Sequence, residues 1–169
     1  MPADKTIDMT SLGLAFLRLA LAVVFVAHGA NKLFGAFGGP GVGPGGLSYT
    51  AAYFASVNLE PATILALMAA VAQLAGGLLI GAGLLTRWAA IAGLAYIGVG
   101  IWKVHWKWGL FLNWTGAPGQ GHGIEYSIVI GAALACLLLS GPGDFSLDGR
   151  RESYKAAKAA GRARLRKSA

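Results

Sequence analysis

Residues 61–106 read PATILALMAAVAQLAGGLLIGAGLLTRWAAIAGLAYIGVGIWKVHW, two long apolar runs joined by one polar pair, Thr86-Arg87. The first run, from Pro61 to about Leu85, carries no charge, and its one strongly polar side chain is Gln73. The second extends from about Trp88 to Trp106. Roughly 20 apolar residues at about 1.5 Å each span a hydrocarbon core. A join this short makes the two helices antiparallel neighbours. Pro61 suits a first helical turn, where a missing N–H costs nothing.

The pattern repeats on both sides. Upstream, Ser11 to Phe34 forms a third apolar run, interrupted by Arg18 near its start and by His28, Asn31 and Lys32 near its end. In such a span Arg18 is expected to snorkel to one interface and Lys32 to the other. The glycine-rich stretch 35–47 reads as a loop. It is no phosphate loop, since it lacks the Gly-Lys-Ser/Thr ending. Residues 49–57 are apolar but too short to span, so they read as a short interfacial helix between the first two spans. Downstream, 107–123 is a wetter loop, and 124–140 is a fourth apolar run stopped by Gly141-Pro142-Gly143. The expected fold is therefore all-α: a polytopic four-helix membrane bundle with spans near 11–34, 61–85, 88–106 and 124–140. Residues 1–10 and the basic tail 144–169 flank it.

Composition agrees. Of 169 residues only 12% are charged, against about 25% in a soluble domain. The net charge of +7 is not a nucleic-acid signature, because eight of the fourteen Lys and Arg residues lie between Arg150 and Lys167. A basic tail beside an apolar body points to an anionic lipid face. The tail reads equally as a helix on that face or as a solvated, partly disordered segment. The single cysteine, Cys136, excludes a dithiol mechanism within the chain. Asp4, Lys5 and Asp8 make the first ten residues net negative, so the first apolar run reads as a retained span rather than a signal peptide.

Topology follows from the positive-inside rule. With both ends and the Arg87 turn inside, that side holds eleven Lys and Arg residues, and the other holds Lys32, Lys103 and Lys107. The expectation is N-in, C-in. Trp102, Trp106, Trp108, Trp114, Phe34 and Phe37 then collect on the outer side as half of an interfacial belt. Gly77/Gly81, Ala89/Gly93 and Gly131/Ala135 have the small-xxx-small spacing that lets helices approach closely in lipid.

Ionisable groups at membrane depth are costly and call for an explanation. Under this topology all three histidines lie in the outer layer. His28 and Lys32 share one helix face, His105 follows Lys103, and His122 and Glu125 open the last span. A ring of snorkelling residues fits this arrangement. So does a pocket in which His28, Lys32, His105, His122 and Glu125 converge, with Gln73 as its floor and Trp102 on its rim. A quinone head group needs a few donors beside an apolar slot open to lipid, and such a pocket offers them. The three histidines with Glu125 also suit Zn or Fe as ligand types, but the spacing matches no closed motif and no metal is assigned.

Three stretches resemble the DoxX family of small bacterial membrane proteins. The first runs from Arg18 through His28-Gly29-Ala30-Asn31-Lys32-Leu33-Phe34-Gly35 to Gly38-Gly39-Pro40-Gly41. The second is Gly76-Gly77 through Thr86-Arg87. The third is His122-Gly123-Ile124-Glu125-Tyr126-Ser127, followed by Gly141-Pro142-Gly143-Asp144-Phe145-Ser146-Leu147-Asp148. The resemblance implies a four-helix membrane bundle and redox work at the cytoplasmic membrane. One relative is the membrane subunit of a thiosulfate:quinone oxidoreductase, and others are linked to soluble redox enzymes. Many relatives have a glutamate where Gln73 stands, and an amide cannot relay a proton near neutral pH. The sequence carries no visible flavin, haem or iron–sulfur motif. Three functions therefore compete. One is a quinone-linked component of a membrane oxidoreductase, working with a partner subunit. Another is a non-enzymatic scaffold that docks soluble redox enzymes through its tail. The last is a small solute carrier. An oligomer is compatible with each.

Overall fold

The computed structural model describes residues 8–38 and 43–167, with the side chains of the last helix described as far as Arg162. Among these residues are six α-helices and no β-strand. They are α1 (Met9–Phe34), α2 (Leu47–Ser56), α3 (Ala62–Ala82), α4 (Thr86–Gly100), α5 (Glu125–Ser140) and α6 (Leu147–Lys167). The all-α class expected from the apolar runs is what the chain adopts. Helical backbone continues past Gly100 through a π-helical turn, Ile101–His105, and a 3-10 turn, Trp106–Trp108. The tail, for which two readings stood open, is helical.

Asp8 begins α1 by accepting from the backbone N–H groups of Thr10 and Ser11 at 3.1 and 2.9 Å. The Ser11 hydroxyl foremost, and then these two N–H groups, hold the Asp8 carboxyl below the usual carboxylate range. At the start of α3, Glu60 accepts from the Ala62 N–H at 2.7 Å.

The most extensive interface joins α1 and α3, with α2 also against α3 and α5 against α4. Small residues set the α1–α3 approach. Gly29 lies against the backbone of Leu74, Gly77 against Phe25 and Val26, and Gly81 against Ala22. The two helices are therefore antiparallel, and Ala66, Ala70, Gln73, Gly77 and Ile80 form the buried stripe of α3. On α4, Gly93 lies against Leu134 and Phe25, which closes the core with Leu21, Ile80, Ala90 and Leu137.

The outside is as apolar as the inside. α1 and α3 are each long and apolar enough to cross a membrane, and α5 is a shorter apolar helix. Phe16, Val23, Met68, Leu78, Val129 and Leu139 all point away from the protein. Leaving that surface in water would cost roughly 25 cal/mol per Å², and monomeric soluble proteins rarely expose patches on this scale. Hydrocarbon is the solvent that this surface fits.

One sequence expectation is overturned. Arg18 does not snorkel: it is 2% exposed. Its guanidinium donates to the Phe145 carbonyl at 2.5 Å and, at 3.5 Å, to that of Gly81. The residues around 141–149 clasp this end of the fold. The Asp144 N–H donates to Ser11 Oγ at 3.1 Å, and the Asp148 N–H donates to the Gly83 carbonyl at 2.9 Å. The Asp148 carboxylate in turn accepts from Thr86 N at 3.2 Å, so α4 is capped by a residue 62 positions away. Gly83 is required twice over. Its φ is +65°, and a Cβ there would strike the Arg18 guanidinium.

Candidate functional site

The expected site residues fall into two groups, and no hydrogen bond among the described residues joins them. The first group is built on α1. His28 is exposed on its outer surface, and Lys32, one turn later, is half-buried with Nζ 5.8 Å from the centre of the Tyr96 ring on α4. The Lys32 carbonyl accepts from the Thr50 hydroxyl of α2 at 3.3 Å, which ties α2 over this end of α1. Gln73 is buried, and its Oε1 has no hydrogen-bond partner. With Gly29 against Leu74, Gln73 lies at the depth of His28 to Lys32. Tyr96 is about as far from the α3–α4 turn as Gln73 is, which brings it to the same depth.

Tyr96 was not singled out from the sequence, because one tyrosine in an apolar run has no periodic signature. The signal was there in another form. Counting outward from the turn at Gly83–Leu85, the three residues before the Thr86-Arg87 pair expected to form it, places Tyr96 opposite Gln73.

The second group holds a loop together. His105 Nδ1 donates to the His122 carbonyl at 2.8 Å, so Nδ1 carries the proton in this contact. His122 Nδ1 accepts from the Asn113 N–H at 3.1 Å. Glu125 Oε2 accepts from Leu112 N at 3.0 Å. Backbone bonds from Gly123, Ile124 and Glu125 to Phe111, Gly109 and Leu110 run alongside. Each of these side chains makes a hydrogen bond to backbone of the loop. Trp102 is exposed, with Lys103 Nζ 4.4 Å from its ring centre and also donating to the Asn58 carbonyl at 3.3 Å. Among the described residues no three His, Cys, Asp or Glu side chains gather closely enough to hold a metal ion.

The Glu125 contact makes a prediction. Glu125→Ala should speed amide hydrogen exchange at Leu112 and Asn113 by about tenfold or more, the loss of one charge-assisted bond. Glu125→Gln keeps an acceptor and should change it far less. Parent-like exchange at Leu112 in Glu125→Ala would show that the carboxylate does not hold the loop.

A family model described as DoxX matches residues 13–106, more than half of the chain. The chain belongs to the DoxX family. No curated protein matches it, and no solved structure does. Family membership and the apolar helices together make this a membrane protein, in contact with lipid. The matched stretch of this DoxX protein includes His28, Lys32, Gln73, Tyr96, Trp102 and His105, and ends before His122 and Glu125.

Proposed function

We propose that this DoxX protein is a four-span component of a redox system in a bacterial cytoplasmic membrane, with both ends inside. In this reading it receives a quinone head group at His28, Lys32, Gln73 and Tyr96. The spans are those near 11–34, 61–85, 88–106 and 124–140, and residues 144–169 are cytoplasmic. Two features support four spans: the unbroken helical backbone of Thr86–Trp108 and the apolar α5. The eight basic residues of the tail support its inner placement.

The observation that carries the functional reading is the Lys32 ammonium over Tyr96, one turn from the outward-facing His28, at the depth of a buried amide with a free oxygen. A quinone carbonyl accepts hydrogen bonds, and Lys32 and His28 donate them. The hydroxyl of the reduced form donates, and Gln73 Oε1 accepts. His28 faces lipid, the medium from which a hydrophobic quinone arrives. Electrons come from a partner protein, since the chain carries no redox motif of its own. The His105, His122 and Glu125 groups serve the loop above the site and are not assigned to the head group.

Titration of a short-tailed benzoquinone into the purified protein in nanodiscs tests this. Lys32→Met and His28→Ala should each weaken binding about tenfold or more, the cost of one charged or polar donor. Both variants should keep the parent melting temperature within a few degrees. Parent-like affinity in Lys32→Met would end the quinone reading. Loss of a redox partner on removal of residues 150–169, with quinone affinity unaffected by either substitution, would favour the scaffold instead.

A further inference from the structure

A groove of about 470 Å³ opens where the α3–α4 turn meets the first turns of α6, lined by Leu84, Leu147, Arg150, Arg151 and Tyr154. We propose that it binds one anionic phospholipid of the inner leaflet, with the phosphate at Arg150 and Arg151 and the first part of an acyl chain against Leu84 and Leu147. The choice of leaflet rests on the membrane placement proposed above; the groove itself does not.

Leu84 and Leu147 lie where the chain leaves the apolar body, and Arg150, Arg151 and Tyr154 follow along the first turns of α6. That order along the chain matches a phospholipid, whose phosphate sits just outside its acyl chains. A free phosphate would use the arginines alone. Guanidinium forks suit phosphate oxygens, and Arg150 and Arg151 make no hydrogen bond to the protein among those found for the described residues.

The groove's two walls are also locked together. Asp148, next to Leu147, donates from its N–H to Gly83, next to Leu84, and its carboxylate is turned onto Thr86 N. Arg18 holds the Phe145 carbonyl just before. A gap with fixed walls keeps its shape before a ligand arrives, which lowers the ordering cost of binding. The nearest acidic side chains do not spoil the charge. Asp148 is engaged at the helix cap, and Glu152 is not part of the lining.

The groove differs from the rest of α6. Lys155, Lys158 and Arg162 are exposed on the same helix, but they face no apolar wall in the groove. They attract an anionic surface diffusely. Among the described residues of α6, the first turns present cations and leucines together.

Native mass spectrometry of detergent-purified full-length protein with added phosphatidylglycerol or phosphatidylcholine tests the proposal, because a micelle offers no charged surface. One phosphatidylglycerol should be retained, and phosphatidylcholine should not. Arg150→Ala with Arg151→Ala should weaken retention about thirtyfold, as expected for two arginines acting at surface-cation strength. The charge-matched pair Lys155→Ala with Lys158→Ala should change it less than about threefold. Circular dichroism before and after each substitution checks that the helices persist. Equal losses from the two pairs, equal retention of phosphatidylcholine, or displacement of phosphatidylglycerol by millimolar inorganic phosphate would each overturn it. Failure here leaves the quinone titration untouched, since that site involves none of these residues.

Discussion

Arg18→Ala should lower the melting temperature of the purified protein by roughly 10 °C, the consequence of losing about 3 kcal/mol. Arg18 is 2% exposed, yet among the described residues no carboxylate neutralises it through a hydrogen bond; its guanidinium donates to two backbone carbonyls, those of Phe145 and Gly81. Bonds from a charged donor contribute about 1.5–3 kcal/mol, and an orphaned buried carbonyl adds a desolvation cost. Gly81 belongs to the last turn of α3, so the cation also faces the negative end of that helix. The consequences should spread along the clasp, because Arg18 holds the carbonyl between the Asp144 and Asp148 contacts. Amide exchange should therefore rise at Asp144, bonded to Ser11 Oγ, and at Asp148, bonded to Gly83. Arg18→Lys retains the charge but reaches one carbonyl at most, and about half the loss should remain. An Arg18→Ala protein that melts within 2 °C of its parent, with those two amides still protected, would mean the clasp holds without the arginine.

The same residue shows where the sequence was legible and where it was not. Uncharged runs of span length and the stop at Gly141-Pro142-Gly143 each have a local physical cause, so α3, α4 and α5 could be placed from pattern alone; the turn itself falls at Gly83–Leu85, and Thr86-Arg87, expected to form it, instead open α4. The fate of Arg18 depends on a carbonyl 127 residues away. A backbone acceptor is the same at every position and leaves no mark in a sequence. Hence an arginine near the end of an apolar run looks like a snorkelling one. His122 and Glu125 misled in a related way. Their spacing put them on one helix face, which is a fact about a helix. In the fold, residues 109–113 turn back, and their N–H groups take the ring nitrogen and the carboxylate. His28 and Lys32 were legible because a spacing of four within one long helix is local. Tyr96 was not, because its relation to Lys32 exists only once α1, α3 and α4 are in register.

That register is set by one glycine more than by any other residue. Gly29→Ala should destabilise the protein by several kcal/mol, while Gly13→Ala on the same helix should be neutral or stabilising by up to about 1 kcal/mol, its gain in helix propensity. A Cβ on Gly13 would meet nothing within 4 Å. A Cβ on Gly29 would lie 2.7 Å from the Leu74 Cα and closer still to its backbone nitrogen. Neither atom can rotate away, so the helices must part by about an ångström to restore van der Waals distance. Overpacking of one site costs about 1–3 kcal/mol. Here the same displacement also pulls Gly77 from Phe25 and Gly81 from Ala22, which are further contacts of the same interface. In lipid no hydrophobic force draws the helices back together, since hydrocarbon solvates the parted faces as well as they solvate each other. Thermal unfolding of the two alanine variants in one detergent gives the comparison, and equal melting temperatures would refute the close approach of α1 to α3. A functional consequence follows from position. Gly29 lies between His28 and Lys32, so parting α1 from α3 at that level moves Lys32 relative to Gln73. The proposed head-group affinity should then fall in Gly29→Ala even at temperatures where the protein remains folded, and should not fall in Gly13→Ala.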